Sequence, residues 1–265
     1  MWKILRTRLQ QGTRTVAFPA AAPTLPDRFR GAPRLDASRC PDGCQACVDA
    51  CPTQALATEG SELRLDLGRC LFCTDCVEAC PEGAIGFGTD WRLATRRRED
   101  LVSDGRTLQL AEALEARSRR LFGRSLQLRQ VSAGGCNACE ADVNVLTTVV
   151  FDLGRFGIQF VASPRHADGL LITGAISRNM RLAVEKTYAA VPQPKLVIAV
   201  GACAISGGPY AGHPEVLNGA GALLPVDLYV PGCPPHPITI LDGLLRLLGR
   251  IEEARDVGGA RGANP

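Results

Sequence analysis

From residue 125 onward, short apolar runs alternate with longer amphipathic stretches. SLQLRQVS, IQFVAS, GLLITG, KLVIAVG and DLYVPG have strand length, and residues 140–152, 178–190 and 237–250 carry helical patterns. Strands alternating with helices predict a parallel sheet covered on both faces. Upstream the pattern differs. Residues 2–10 read as a short amphipathic helix, with Trp2, Ile4, Leu5 and Leu9 roughly on one side and Lys3, Arg6 and Arg8 elsewhere. Such a segment is either a frayed terminus or a helix lying on a partner or at a membrane surface. Pro19, Pro23, Pro26 and Pro33 make residues 17–35 an extended strap laid along something.

Residues 37–90 are an internal duplication, each half ending in a short apolar return, CPTQALAT and CPEGAIGF. In residues 91–124, Leu108, Ala111, Leu114 and Leu121 fit one helical face, with Glu112, Glu115, Arg117 and Arg119 outside. This predicts a solvated linking helix or an Arg-bearing contact with a larger subunit. The expected organisation is therefore a basic arm (1–36), a duplicated unit (37–90), a charged linker (91–124), an α/β domain (125–255) and a disordered tail (256–265) without core residues.

With 265 residues and 46% hydrophobic content, the chain suits two modest domains with a real core. No apolar run approaches the roughly 18–20 residues of a membrane span, and basic residues stand where a secretory signal would be apolar. A soluble cytoplasmic chain is expected. The positive charge is local: residues 1–36 hold seven Lys or Arg against Asp27 and Asp36. This suggests a docking surface. No interleaved aromatic platform accompanies it, which argues against nucleic acid. No nucleophile–base pair, phosphate loop or flavin fingerprint stands out.

Twelve cysteines change the picture. Cys40, Cys44, Cys47 and Cys51 precede Pro52, and Cys70, Cys73, Cys76 and Cys80 precede Pro81. The second run is the bacterial ferredoxin pattern Cys-x2-Cys-x2-Cys-x3-Cys-Pro, whose fourth cysteine ligates the other cluster. The first run has one extra residue, which Gly43 can absorb in a turn with positive φ. On that pattern, Cys40, Cys44, Cys47 and Cys80 hold one 4Fe–4S cube, and Cys51, Cys70, Cys73 and Cys76 hold a second. Zinc is the alternative for Cys-x2-Cys pairs, but zinc ribbons separate two such knuckles instead of running four cysteines into Cys-Pro.

The last four cysteines follow a different logic. Cys136 and Cys139 follow the first predicted strand, Cys203 follows LVIAVG, and Cys233 follows DLYVPG. Loops leaving the carboxyl ends of parallel strands converge where open α/β sheets place ligands. Gly134, Gly135, Gly201 and Gly232 allow close backbone approach, and a third cube is expected there. The alternative is four buried, inert thiols. With three oxidised cubes, the formal charge of +3 would become about −3. A chain of three clusters without other chemistry moves electrons.

SAGGCNACEADVNVL, SPRHADGLLITG, IAVGACAISGGPY and YVPGCPPHP resemble the small subunit shared by energy-converting (group 4) NiFe hydrogenases and respiratory complex I. The complex I subunit has adjacent cysteines where this chain has Cys136-x2-Cys139, which favours the hydrogenase branch. MWKILRTRLQQGTRT, FRGAPRLDASRC, LGRCLFC and the WRLATRRREDL region resemble the ferredoxin-type subunit of formate hydrogenlyase complexes. The resemblance implies those two subunits fused: a flavodoxin-like parallel-sheet domain preceded by a small α+β bacterial-type ferredoxin domain. It implies three 4Fe–4S clusters in a cytoplasmic peripheral-arm protein, membrane-associated through its complex. The third cluster would face a NiFe site in a separate large subunit. Membrane-arm subunits, and another iron–sulfur or formate dehydrogenase subunit, would be further partners. The chain would be a non-catalytic electron-transfer subunit of an oxidoreductase, since the large subunit's paired nickel ligands are not in it. A complex I-like quinone or ion-pumping partner is the alternative, and a free ferredoxin-like carrier is another. Glu140 and Asp142 stand where the family commonly has Asp and then Glu. They are helix N-terminal acids or have a proton or interface role. His236 stands where the family often has Arg after PGCPP, and it contacts either the cube or a partner.

Overall fold

The computed structural model describes residues 2–41, 43–59, 62–104 and 108–251. The tail expected to be disordered, 256–265, lies outside the described residues. Residues 2–10 fall in α1 (Trp2–Gln11), none of whose residues is buried, but helical geometry turns Ile4 away from the side that Trp2, Leu5 and Leu9 share. The proline-rich strap follows. Val16 N donates to Val150 O at 2.9 Å, and Arg155 Nη2 donates to the carbonyls of Val16 and Phe18, each at 2.8 Å. Farther on, Gly31 N donates to Gly88 O and Ala32 N to Asp90 O. The strap thus ties the C-terminal half to the duplicated unit.

The duplication folds as two matching halves. In each, a cysteine loop leads into a one-turn helix, α2 (Ala46–Asp49) or α3 (Asp75–Glu78), and each short apolar return reaches a strand. β1 (Pro33–Leu35) pairs antiparallel with the strand that follows α3, Ile85–Phe87. β2 (Leu56–Glu59) and β3 (Glu62–Asp66) form a hairpin extended by Val102–Ser103. In chain order these two later strands are β4 and β5.

After α4 (Ala116–Phe122), the sheet is built from β6 (Leu126–Ser132), β7 (Ile158–Phe160), β8 (Gly169–Thr173), β9 (Leu196–Val200) and β10 (Leu228–Val230). Its order is β7-β6-β8-β9-β10 and every pairing is parallel. That is the flavodoxin-like order, with its switch point between β6 and β8. All five predicted strands are present. Period-two alternation sends Leu170, Ile172, Val197 and Ala199 into one core and Leu171, Ile198 and Val200 into the other. The first core also contains Leu65, Leu67 and Leu101, so the duplicated unit and the sheet share apolar contacts. The second core lies under α5 (Ala138–Val145) and α8 (Pro237–Leu247). On the first side are α6 (Arg178–Ala190), which contributes Val184, and α7 (Ala202–Ser206), which contributes Ala204 and Ile205.

Two expected helices are shorter than their patterns. Residues 108–115 are not helical. Ala111 N donates to Ala94 O and Leu114 N to Leu247 O, so tertiary hydrogen bonds hold this stretch irregular, and only Leu121 of the expected face stays exposed. α5 stops at Val145 instead of near 152. The Thr147 and Thr148 hydroxyls donate to the Asn144 and Val145 carbonyls, the competition that makes such residues poor helix continuers. Residue 95 caps the open edge of β10: Thr95 N donates to Tyr229 O and Tyr229 N to Thr95 O, at 3.0 and 2.9 Å. Among the described residues, no helix is long and apolar enough to cross a membrane.

Candidate metal centres

The extra residue of the first cysteine run is absorbed as expected, since Gly43 has φ +74°. The two halves then place their thiols alike. Ala55 N donates to Cys51 Sγ and Ala84 N donates to Cys80 Sγ, each at 3.2 Å. Phe72 N donates to Cys70 Sγ at 3.3 Å. Amides aimed at sulfur favour thiolate over thiol. The fold brings the eight thiols together crosswise. Burial raises the Cys47 thiol pKa, and Cys40, Cys80 and Cys44 raise it further. Burial pushes Cys70 up to about 12, with Cys76, Cys51 and Cys73 adding to the shift. Each last cysteine therefore lies within electrostatic range of the other half's run.

The third group forms at the carboxyl edge of the parallel sheet. Cys136 lies in the loop after β6 and Cys139 in the first turn of α5. Cys203 lies in α7, directly after β9, and Cys233 in the loop between β10 and α8. The glycine at the end of β9 makes this convergence possible. Gly201 has φ +91°, and a Cβ there would sit 2.5 Å from Cys139 Sγ. Burial raises the Cys139 thiol first, then Cys203 and Cys233. Cys203 is pushed up to about 11 by burial, then by Cys233 and Cys136. Cys203 is buried, whereas Cys136 and Cys233 are exposed. The group is thus open on one side.

A buried carboxylate braces this loop cluster. Ser132 and Thr173 are paired across β6 and β8, and both hydroxyls donate to Glu140 Oε1 at 2.6 Å. Burial alone would raise this carboxyl, but the two hydroxyls and its own backbone N–H hold it below the usual carboxylate value. The helix N-terminal reading of Glu140 missed this role. The sequence carried no signal of it, because Ser132 and Thr173 become neighbours only when β6 and β8 pair. Asp142 has a different setting: it lines a cavity of about 430 Å³ with Arg28, Arg30, Cys73, Cys233 and His236, and burial raises its pKa. The strap forms one wall of this cavity. Phe29 meets His236 edge-on with ring centroids 5.3 Å apart, and Arg30 Nη1 donates to Phe72 O at 2.6 Å. His236 Nδ1 accepts from Ile238 N and caps α8. Burial lowers its pKa, which leaves it a neutral acceptor.

The three thiol groups are adjacent in series. Cys76 of the second group lies within electrostatic range of Cys47 of the first, and Cys233 of the third lies within range of Cys73 of the second.

Sets of four thiols are donors that a 4Fe–4S cube can use. Four thiols that raise one another's pKa must lose protons to a strongly cationic centre to act as ligands. Among the described residues, no three His, Cys, Asp or Glu side chains converge as one metal ion requires. A tetrahedral zinc gathers its sulfurs about 2.3 Å from one point. A 4Fe–4S cube gives each thiolate its own iron and needs a wider ring of donors.

Comparison with known proteins finds two family matches along the chain. Residues 39–84 match the 4Fe-4S dicluster domain, and residues 136–247 match the model described as NADH ubiquinone oxidoreductase, 20 Kd subunit. The chain is 41% identical over 141 residues to formate hydrogenlyase subunit 7 of Escherichia coli, covering 53% of this chain and 55% of that protein. It is 40% identical to an NADH-quinone oxidoreductase subunit of Heliobacterium modesticaldum, covering 48% of this chain and 73% of that one. It is 39% identical to the probable membrane-bound hydrogenase subunit mbhJ of Pyrococcus furiosus, covering 50% of this chain and 79% of that one. With the parallel sheet, its edge of thiols and these relatives together, the chain belongs to the NADH ubiquinone oxidoreductase 20 kDa subunit family, preceded here by a 4Fe-4S dicluster domain.

Proposed function

We propose that this chain is the electron-transfer subunit of a membrane-associated group 4 NiFe-hydrogenase complex of the formate hydrogenlyase type. Cys40, Cys44, Cys47 and Cys80 would hold one 4Fe–4S cluster, Cys51, Cys70, Cys73 and Cys76 a second, and Cys136, Cys139, Cys203 and Cys233 a third. When bound, such clusters accept and release single electrons. The observation that carries the reading is the serial adjacency of the groups, from Cys47 to Cys76 and from Cys73 to Cys233. The chain's own residues supply the insulation and the fixed spacing. Amides of Ala55, Phe72 and Ala84 are aimed at sulfur, and hydrogen bonds to sulfur tune cluster potentials. Glu140 is held ionised beside the third group, and a fixed negative charge there opposes added electrons. The exposed thiols Cys136 and Cys233 mark the side that a large subunit would cover.

A second reading keeps the relay and replaces the NiFe partner with the large subunit of a complex I-like quinone or ion-pumping oxidoreductase. Relatives of both kinds match at 39–41% identity. The Cys136-x2-Cys139 spacing favours the hydrogenase. The test is anaerobic purification of the native complex, with iron, nickel and sulfide analysis and assay of viologen-linked hydrogen turnover. The expected result is about twelve irons per copy of this chain, nickel in the partner and hydrogen turnover. Quinone reduction without nickel would replace the first reading with the second. Zinc in place of iron would end both.

A further inference from the structure

The relay leaves one feature unused. α1 (Trp2–Gln11) projects from the chain with no buried residue, and Trp2, Ile4, Leu5 and Leu9 are 85%, 73%, 52% and 84% exposed. At about 100° per residue, Trp2, Leu5 and Leu9 fall within an arc of about 60°. Arg6 flanks this stripe on one side and Arg8 on the other, while Lys3, Thr7, Gln10 and Gln11 occupy the opposite face with Ile4. Residues 2–26 contain Lys3, Arg6, Arg8 and Arg14 and no acid. The helix is rooted firmly: Thr15 Oγ1 donates to Val149 O at 2.7 Å and Val16 N to Val150 O. Val149 and Val150 are themselves 67% and 41% exposed, so the apolar stripe emerges beside an apolar patch.

We propose that α1 is an interfacial anchor that lies flat on an anionic lipid surface. In that pose Trp2, Leu5 and Leu9 enter the headgroup–acyl boundary, while Arg6 and Arg8 reach outward to lipid phosphates. Ten residues of helix measure about 15 Å, half of what a bilayer core requires, so the helix cannot span. A stripe three side chains wide with cations on both flanks is the profile of an in-plane helix. Tryptophan is favoured at that depth because its ring is apolar and its N–H polar. Charge complementarity selects lipid over a protein groove, because four cations in a segment without a single acid match a uniformly negative surface. The inference does not depend on the electron relay, and its test reads lipid binding alone.

The experiment uses the full iron-loaded chain and co-flotation with vesicles of phosphatidylcholine alone or with a quarter phosphatidylglycerol. Binding is expected only to the anionic vesicles, to weaken with salt, and to bring a blue shift of Trp2 fluorescence that is absent in Trp2→Ala. Each cation at such a surface strengthens binding about five-fold, so Arg6→Gln/Arg8→Gln should weaken it about 25-fold. Leu5→Glu/Leu9→Glu should abolish it with iron content unchanged, since neither side chain touches the core. Equal binding by the Leu5→Glu/Leu9→Glu variant, or no affinity of the iron-loaded chain for anionic vesicles, overturns the proposal. If those variants instead weaken assembly of the detergent-solubilised complex while vesicle binding is nil, the helix docks on protein.

Discussion

Gly201 shows how much one residue decides at the sheet edge. Its φ of +91° is strained for any other L residue, and its missing Cβ leaves the space that Cys139 Sγ occupies, 2.5 Å from where a Cβ would lie. Gly43 separates the two effects, because it has φ +74° but nothing within 4 Å of a Cβ. Gly43→Ala should cost only backbone strain, about 1–3 kcal/mol, with iron retained. Gly201→Ala should in addition displace the Cys139 sulfur and remove about a third of the iron, leaving the dicluster signals in the electron paramagnetic resonance spectrum. Full iron in Gly201→Ala would show that the third centre accommodates a Cβ at this position and that Gly201 does not decide its assembly. The glycine was legible in the sequence, since a strand ending in glycine before a cysteine asks for close approach. The Ser132–Glu140–Thr173 bracket was not, because it depends on which strands become neighbours across the switch point.

Among the elements, α8 carries the largest electrostatic risk. Every residue from Pro237 to Leu247 is buried, including Asp242 and Arg246, whose side chains are 2% and 3% exposed and bond at 2.7 Å. Burial raises the Asp242 pKa, and Arg246 and then Arg92 oppose that rise. Breaking such a pair strands a buried charge and costs about 3–5 kcal/mol, whereas replacing both partners with apolar side chains is often neutral. Arg246→Met should therefore lower the temperature at which the visible absorbance is lost, by about 10 °C. Asp242→Leu/Arg246→Met should recover most of that loss. Equal losses in the two variants would show that packing rather than charge governs the helix. The period-two and period-3.6 patterns revealed all five sheet strands, α6 and α8. They failed at residues 108–115, where amide bonds to Ala94 and Leu247 override a helical pattern, and at the end of α5, where threonine hydroxyls compete for carbonyls.

For the whole molecule, the issue under the proposed relay is whether the dicluster part and the parallel-sheet part are held rigidly enough to act as one conductor. Their seam combines a shared core with a few specific polar contacts. Arg98 forks onto Asp66 with bonds of 2.8 and 2.6 Å, and Ser206 Oγ donates to Gly68 O at 2.8 Å. Gly68 lies so close to the other part that a Cβ there would be 2.8 Å from Ile205 Cγ2. None of this was legible, because these contacts join residues 32 apart (Arg98 and Asp66) and 138 apart (Ser206 and Gly68) and leave no periodic trace. The Arg98 side chain is 32% exposed, so solvent screening reduces the worth of the fork to about 1–2 kcal/mol. Arg98→Ala should therefore leave the protein folded and its iron complete. The shared core would keep the parts attached, but the spacing between Cys73 and Cys233 would no longer be fixed from the Asp66 side. Under the proposed relay, electrons delivered through the dicluster part should then reach the third centre more slowly, whereas a small reductant acting on each centre directly should reduce all three as before. Rapid-freeze spectra with the two kinds of donor separate these routes. If Arg98→Ala slows neither, the seam positions nothing that electron transfer depends on, and the core alone sets the wire's geometry.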